Sequence, residues 1–240
     1  MEKQNRSYPP NLFGISGRIG SGKDTVGEII QKLCLTNKGP NFEIKKFAGK
    51  LKTIGSLISG VGVEKFEDQD FKKQSMGEEW EMTYREFLQK LGTEAMRDNL
   101  HENVWINALF ADYKPRVTYQ MEILDLGASD LQREKIGKPV NSEYPNWIIT
   151  DMRFPNEMEA VVKRNGVTIR VIRDTTCPEC GVTGGHKMYV HKDKSLTDLH
   201  PSETALDDAD FDYTIHNSGT LEDLVDTVRA ILVLENIIDK

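Results

Sequence analysis

The segment Gly17-Arg18-Ile19-Gly20-Ser21-Gly22-Lys23-Asp24-Thr25 combines residue types that suit phosphate chemistry. Glycines let a backbone turn tightly and aim its amides at oxygens, and Gly17, Gly20 and Gly22 supply that freedom. Lys23 brings a point charge to the β and γ phosphates of a nucleotide, and a helix starting there adds the positive end of its dipole. Arg18 and Ser21 fall inside the same turn. The spacing is that of a phosphate-binding loop except at one position, where Asp24 stands in place of the hydroxyl that ordinarily ligates magnesium. A carboxylate can serve magnesium directly or through water, and Thr25 keeps a hydroxyl that can reach the α phosphate. A carboxylate so near a triphosphate repels it unless a metal lies between them. The expectation is therefore a strictly metal-dependent site with Asp24 on the metal. The competing reading is a glycine turn that merely joins a strand to a helix.

Such a loop needs a strand before it and a helix behind it. The run LFGIS (residues 12–16) reads as a buried strand, and Val26, Ile29, Ile30 and Leu33 recur at helical spacing. FEIKKF (42–47) reads as a second strand, with AGKLKTIGSLIS as the helix behind it and loop plus short helix over 60–80. Thr83-x-x-Glu86 is a capping box opening a helix with Phe87, Leu88 and Leu91, and helix continues to about Tyr113. Residues 114–146 read as an excursion, with a candidate strand in RVTYQMEIL and Gly and Pro in GKPVNSEYP. WIIT (147–150) is an apolar strand, and Pro155 opens the next helix at its first turn. VTIRVIR (167–173) is another strand and YTIHN the last. Thr220 opens a closing helix with Leu221, Leu224, Val225, Val228 and Leu232 on one face. Strands alternating with helices predict an α/β fold around a central parallel sheet. We read residues 1–240 as one domain, with a helical region at 49–113 and a lid insert at 174–201.

A chain of 240 residues with 38% hydrophobic and 29% charged residues has the composition of a soluble globular protein. No apolar run approaches the ~20 residues of a membrane span, and the polar start does not read as a secretory signal. A net charge of -7 argues against binding nucleic acid through non-specific attraction to phosphates. Three cysteines, an odd number, fit a reducing cytoplasm rather than a disulfide framework.

Four segments in this order, GRIGSGKDT, MTYREFLQKLGTEAMRD, ITDMRFPNEMEA and HPSETAL, resemble the deoxynucleoside monophosphate kinases of tailed bacteriophages. The resemblance runs from about Phe13 to the final helix. It implies a P-loop NTPase three-layer α/β/α fold with a helical monophosphate-binding region and an inserted lid, and Gly-Lys-Asp in the loop occurs within that family. A kinase moving phosphate between two nucleotides must neutralise two anionic clusters and hold them in line. On the acceptor side, Asp151 falls at a strand's carboxyl end, where ligands bind in open α/β sheets. It could hold magnesium or its waters, or accept from the acceptor sugar. Arg153 can grip a phosphate with its planar fork, and Glu157 follows on the next helix. The resemblance assigns Asp151, Arg153 and Glu157 to the acceptor site. The alternative is a strand-end Asp capping the next helix, with a surface Arg153 paired to Glu157.

Arg85 and Gln89 lie four apart on one helix face. The resemblance implies that their segment lines the monophosphate pocket, with Arg85 and Arg97 on the acceptor phosphate and Gln89 on its base; solvated helix charges are the competing reading. Lys50 is a weaker candidate for the same pocket. Arg170 and Arg173 lead from a strand into the insert, and kinases of this fold bring lid arginines onto the transferring phosphoryl group. Arg173 is the preferred lid cation and Arg18 its competitor. HNSGT resembles the turn packed against the donor adenine, which makes Asn217 its neighbour. The insert, CPECGVTGGHKMYVH, departs from the family's simpler members. Cys177, Cys180, His186 and His191 form a candidate structural zinc set, against a polar lid whose cysteines are incidental.

Together these readings predict ATP-dependent phosphorylation of a deoxynucleoside monophosphate with magnesium in the cytoplasm, Lys23, Asp151, Arg153 and Arg173 carrying the catalysis. An apolar face on the helical middle segment could support a homodimer. The alternatives are a kinase of the same architecture acting on dephospho-coenzyme A, and a nucleotide-binding module without enzymatic activity.

Overall fold

Leu12-Phe-Gly-Ile-Ser-Gly17 is apolar on both sides of its pleat, so a strand built from it must be covered on both faces. The computed structural model describes residues 9–125, 133–173 and 204–239 and places this segment at the centre of a sheet. The strands are β1 (Leu12–Gly17), β2 (Glu43–Lys45), β3 (Arg116–Asp125), β4 (Arg133–Glu143), β5 (Trp147–Met152), β6 (Val167–Ile172) and β7 (Tyr213–His216). The α-helices are α1 (Lys23–Thr36), α2 (Ala48–Ser59), α3 (Tyr84–Gln89), α4 (Val104–Phe110), α5 (Pro155–Val162) and α6 (Leu221–Leu234). Five strands form an all-parallel sheet in the order β2-β5-β1-β6-β7.

Alternation along β1 divides the core. Phe13 and Ile15 pack with Val26 and Ile30 of α1 and with Leu224, Val228 and Leu232 of α6. Leu12 joins Ile149 and Met152 of β5 against Ile106 and Phe110 of α4 and Val161 of α5. Helices therefore cover both faces, as an α/β/α layering requires. Thr83 and Glu86 form the expected reciprocal cap, with the Glu86 N–H donating to Thr83 Oγ1 at 3.2 Å and the Thr83 N–H to Glu86 Oε2 at 2.8 Å. α3 then runs directly into a wider π-helix over Lys90–Asp98. There the Gly92 carbonyl accepts from the buried Trp105 indole at 2.9 Å.

Within the segment read as an excursion, most of GKPVNSEYP lies in β4, which pairs antiparallel with β3 in a separate two-stranded ribbon. The register shifts opposite Thr118 and Tyr119, beside Pro139, and a bulge tolerates a residue with no N–H to donate. On α6, Leu221 is 65% exposed and Ile231 is buried in the core instead. Leu221 is the first helical residue, one turn before the stripe that meets the sheet.

Among the described residues, no helix is long and apolar enough to cross a membrane. Cys177, Cys180, His186 and His191, and the lid assigned to 174–201, lie outside the described residues.

Candidate functional site

All strands of the sheet run the same way, so their carboxyl ends share one edge, with neighbours roughly 4.8 Å apart. Along that edge, in sheet order, stand Lys46 after β2, Asp151 at the end of β5, the glycine loop after β1, Arg173 after β6 and Asn217 after β7. The topology thus gathers residues that are as much as 200 positions apart in the chain.

The loop leaves β1 at Gly17 and enters α1 at Lys23. Gly20 (φ 79°) and Gly22 (φ 95°) take left-handed conformations that favour glycine. At Gly22 a side chain is barred twice, because its Cβ would fall 2.4 Å from Asn217 Nδ2. That amide donates to the Ser21 carbonyl at 2.9 Å, while the Asn217 N–H donates to Ile172 O at 2.7 Å. Asn217, expected beside the adenine, ties β7 to the loop through these bonds. Ser21 is 4% exposed, packs against Gly17, and its hydroxyl has no hydrogen-bond partner among the described residues. A buried hydroxyl left so costs about 1–3 kcal/mol, which an anionic oxygen seated in the loop would relieve. Lys23 is 9% exposed in the first turn of α1, and Thr25 is half-buried behind it.

Asp24 accepts from the buried Thr150 hydroxyl at 2.7 Å and lies 3.5 Å from Lys46 Nζ, both contacts falling on Oδ1. Burial raises its pKa, but the Thr150 hydrogen bond and the charges of Lys46 and Lys23 outweigh that and hold it below the ordinary carboxylate value. Asp24 is therefore an ionised, half-exposed carboxylate beside the loop. Lys46 also sits 3.7 Å from Glu67 Oε2, and Glu67 Oε1 accepts from Lys52 Nζ at 2.5 Å. A chain of ion pairs thus joins the glycine loop to the helical region that begins at α2.

Asp151 accepts from the Phe47 N–H at 2.7 Å and the Ala48 N–H at 3.0 Å. Its two oxygens cap the start of α2, where an anion complements the helix dipole. Burial pushes its pKa up, against those amides and the charges of Arg153 and Lys46. The alternative reading of Asp151 as a cap was right in kind but named the next helix, α5, which is capped by Glu157. Glu157 Oε2 accepts the N–H groups of Arg153 (2.7 Å) and Phe154 (3.1 Å), and Oε1 accepts from Arg97 at 3.2 Å. The Arg97 guanidinium also lies 3.8 Å above the Phe154 ring. Arg97 is thus engaged with Glu157, the partner that the alternative reading gave to Arg153. Arg97, Asp98, His101, Glu102, Phe154 and Asn156 line an open groove of about 670 Å³.

Arg85 donates to Gln69 at 3.0 Å, and near it stands a lysine the sequence did not single out. Lys72 is half-buried in the turn Phe71–Lys73. Burial and the like charges of Lys52, Arg85 and Arg153 push its ammonium below the ordinary lysine value, against the pull of Glu67. Lys72 thus stands within reach of the charges of Lys52, Arg85 and Arg153, a cationic basin with Glu67 paired to Lys52 beside it. Arg85 and Arg153, both expected on the acceptor side, each act on the charge of Lys72. Lys50 is exposed and paired with Asp112 at 2.8 Å, and Gln89 is exposed on α3. Lys46, Lys52 and Lys72 are ordinary surface-type lysines in the sequence, and only the tertiary fold gathers them. Arg18 and Arg170 share Asp207, each at 2.5 Å, and Arg173 is exposed just past β6.

Among the described residues, no three His, Cys, Asp or Glu side chains converge as a metal-binding group. Magnesium in nucleotide sites is held by one or two carboxylates together with substrate phosphates, a demand that the ionised Asp24 can meet beside Thr25. No protein-family model matches the chain, and no curated protein matches it.

Proposed function

We propose that the protein is a P-loop kinase that transfers the terminal phosphoryl group of ATP to a deoxynucleoside 5'-monophosphate in the cytoplasm, yielding ADP and the diphosphate. One observation carries the reading: Lys46 lies 3.5 Å from Asp24, next to the glycine loop, and 3.7 Å from Glu67, which pairs with Lys52. The donor site is the loop with its buried Lys23, the Ser21 hydroxyl that has no partner among the described residues, and the two left-handed glycines. The acceptor site is the basin of Lys72, Lys52, Arg85 and Arg153.

In this reading the loop amides and Lys23 cradle the donor phosphates, and Asp24 with Thr25 would hold magnesium, which neutralises charge on the phosphate oxygens. Arg85 and Arg153 grip the acceptor phosphate with planar forks, and Lys72 adds a point charge. Asp151 acts by fixing the start of α2 and hence Lys46 beside Asp24. Glu157 holds the Arg153 backbone and Arg97 in place. Catalysis then rests on positioning and on cations placed where charge develops, with no covalent intermediate on the protein.

The test is ADP release from ATP and magnesium with each deoxy- and ribonucleoside monophosphate, with dephospho-coenzyme A, and with no acceptor. The reading expects release that depends on a deoxynucleoside monophosphate. Release with dephospho-coenzyme A alone, or ATP binding without transfer to any acceptor, overturns it.

A further inference from the structure

An arginine inside a phosphate loop is useful only if its long side chain is held, and here the holder lies 189 positions away. Arg18 Nη2 donates to Asp207 Oδ2, and Arg170 Nη2 donates to Asp207 Oδ1, each at 2.5 Å. Arg170 Nη1 donates to Ser16 Oγ, near the end of β1 before the loop, at 2.9 Å. The Arg170 guanidinium lies 5.8 Å from the Phe211 ring centroid. Exposure of the Arg18, Arg170 and Asp207 side chains is 13%, 9% and 22%, so the contacts are sheltered from solvent screening. The carboxylate is itself anchored. Its neighbour Leu206 is 2% exposed in the core with Ile149, Met152 and Val161, and Ala209 and Phe211 pack on the same cluster.

We propose that Asp207 is a positioning residue: it sets the Arg18 guanidinium at the glycine loop for the terminal phosphate of a bound nucleotide, using Arg170 as a fixed strut. The inference rests on the kinase reading and makes Arg18, rather than Arg173, the cation on the transferring group. Both Asp207 oxygens are committed, so the carboxylate cannot turn without breaking one pair, and the Arg18 head follows its orientation. Planar, charge-assisted pairing of this kind fixes direction as well as distance.

The test combines Asp207→Asn, Arg18→Ala and their double variant. Turnover, the ratio of ATP to ADP affinity and thermal stability are read for each. Misplacing a positioned group by about 1 Å can cost roughly 100-fold. Asp207→Asn is therefore expected to lower kcat by about 10- to 100-fold and to cut the preference for ATP over ADP, with the KM for the acceptor unchanged. In the Arg18→Ala background the same substitution should leave kcat and the affinity ratio alone, while the loss of Tm through Arg170 persists. If Asp207→Asn does not fold, Asp207→Glu replaces it. Glutamate keeps the charge on a longer arm, and the same pattern is expected with Tm near that of the parent. Equal losses of kcat and affinity ratio in both backgrounds would overturn the inference and leave Asp207 a structural residue. If the parent protein transfers phosphate to nothing, the kinase reading falls, and the affinity ratio still decides the role of Asp207.

Discussion

Glu157 is a carboxylate that the fold keeps almost dry, and its titration should be visible in the stability of the whole protein. Burial pushes its pKa from the ordinary 4.5 to about 7, helped by the negative charge of Asp151 and opposed by Arg97 and by the N–H groups of Arg153 and Phe154. A carboxyl whose folded pKa lies above its unfolded value holds its proton more tightly in the folded state. The stability it supplies is therefore complete below pH 4.5 and is lost as pH rises through 7. At about 1.36 kcal/mol per pH unit, the gap between the two values corresponds to roughly 3 kcal/mol. Glu157→Gln stays neutral at every pH and supplies the reference. Asp151, also pushed up by burial, is present in both proteins, so the difference reports Glu157 together with its coupling to Asp151. Unfolding by urea or heat, in half-unit steps from pH 4 to 8, gives the parent-minus-variant stability. That difference should fall by about 3 kcal/mol across the range, about 10 °C in relative Tm for a chain of this size. A flat difference, or one that grows with pH, would refute the reasoning. It would mean that Arg97 and the two amides hold Glu157 ionised despite burial.

Three further outcomes are expected. Asp24→Ala should lose about 100-fold or more in kcat and lose the dependence on magnesium that the parent shows; unchanged activity and an unchanged magnesium titration would remove Asp24 from the site. Lys72→Ala should raise the KM for the monophosphate about tenfold, the loss of one charged contact, with ATP affinity unchanged in a binding titration. Gly22→Ala must adopt φ 95° and displace Asn217, which should cost about 1–3 kcal/mol in melts and weaken the rise in Tm that ATP produces in the parent.

Local signals in the sequence placed the elements well where the relevant contacts are local. The glycine loop opens α1 at Lys23, Thr83 and Thr220 cap the helices expected of them, and α2 spans the predicted segment. The pairing of β3 with β4 was not legible, since Gly137 and Pro139 sit inside β4 beside a bulge. Partnerships were the hidden part. Asp151 takes its hydrogen bonds from amides 103 and 104 positions away, and Thr150 meets Asp24 across 126. Arg97, read as a phosphate ligand, lies against a carboxylate 60 positions on. Lys46, Lys52 and Lys72 carry no spacing signal, because only the strand order and the packing of the turns after α2 bring them together. Asp207 is invisible for the same reason: its partners sit on β6 and in the loop after β1. Residue types on the sheet edge could thus be guessed from strand ends, whereas the pairing among them needed the tertiary fold.

The central claim is that a terminal phosphoryl group passes from a nucleotide in the loop after β1 to a monophosphate in the adjoining cationic basin. Following the label of γ-³²P ATP with magnesium and each deoxynucleoside monophosphate tests this most directly. The label should appear in the matching deoxynucleoside diphosphate, and Lys23→Ala should abolish the transfer. Label that stays in ATP with every acceptor, or that appears only as inorganic phosphate, would contradict the account.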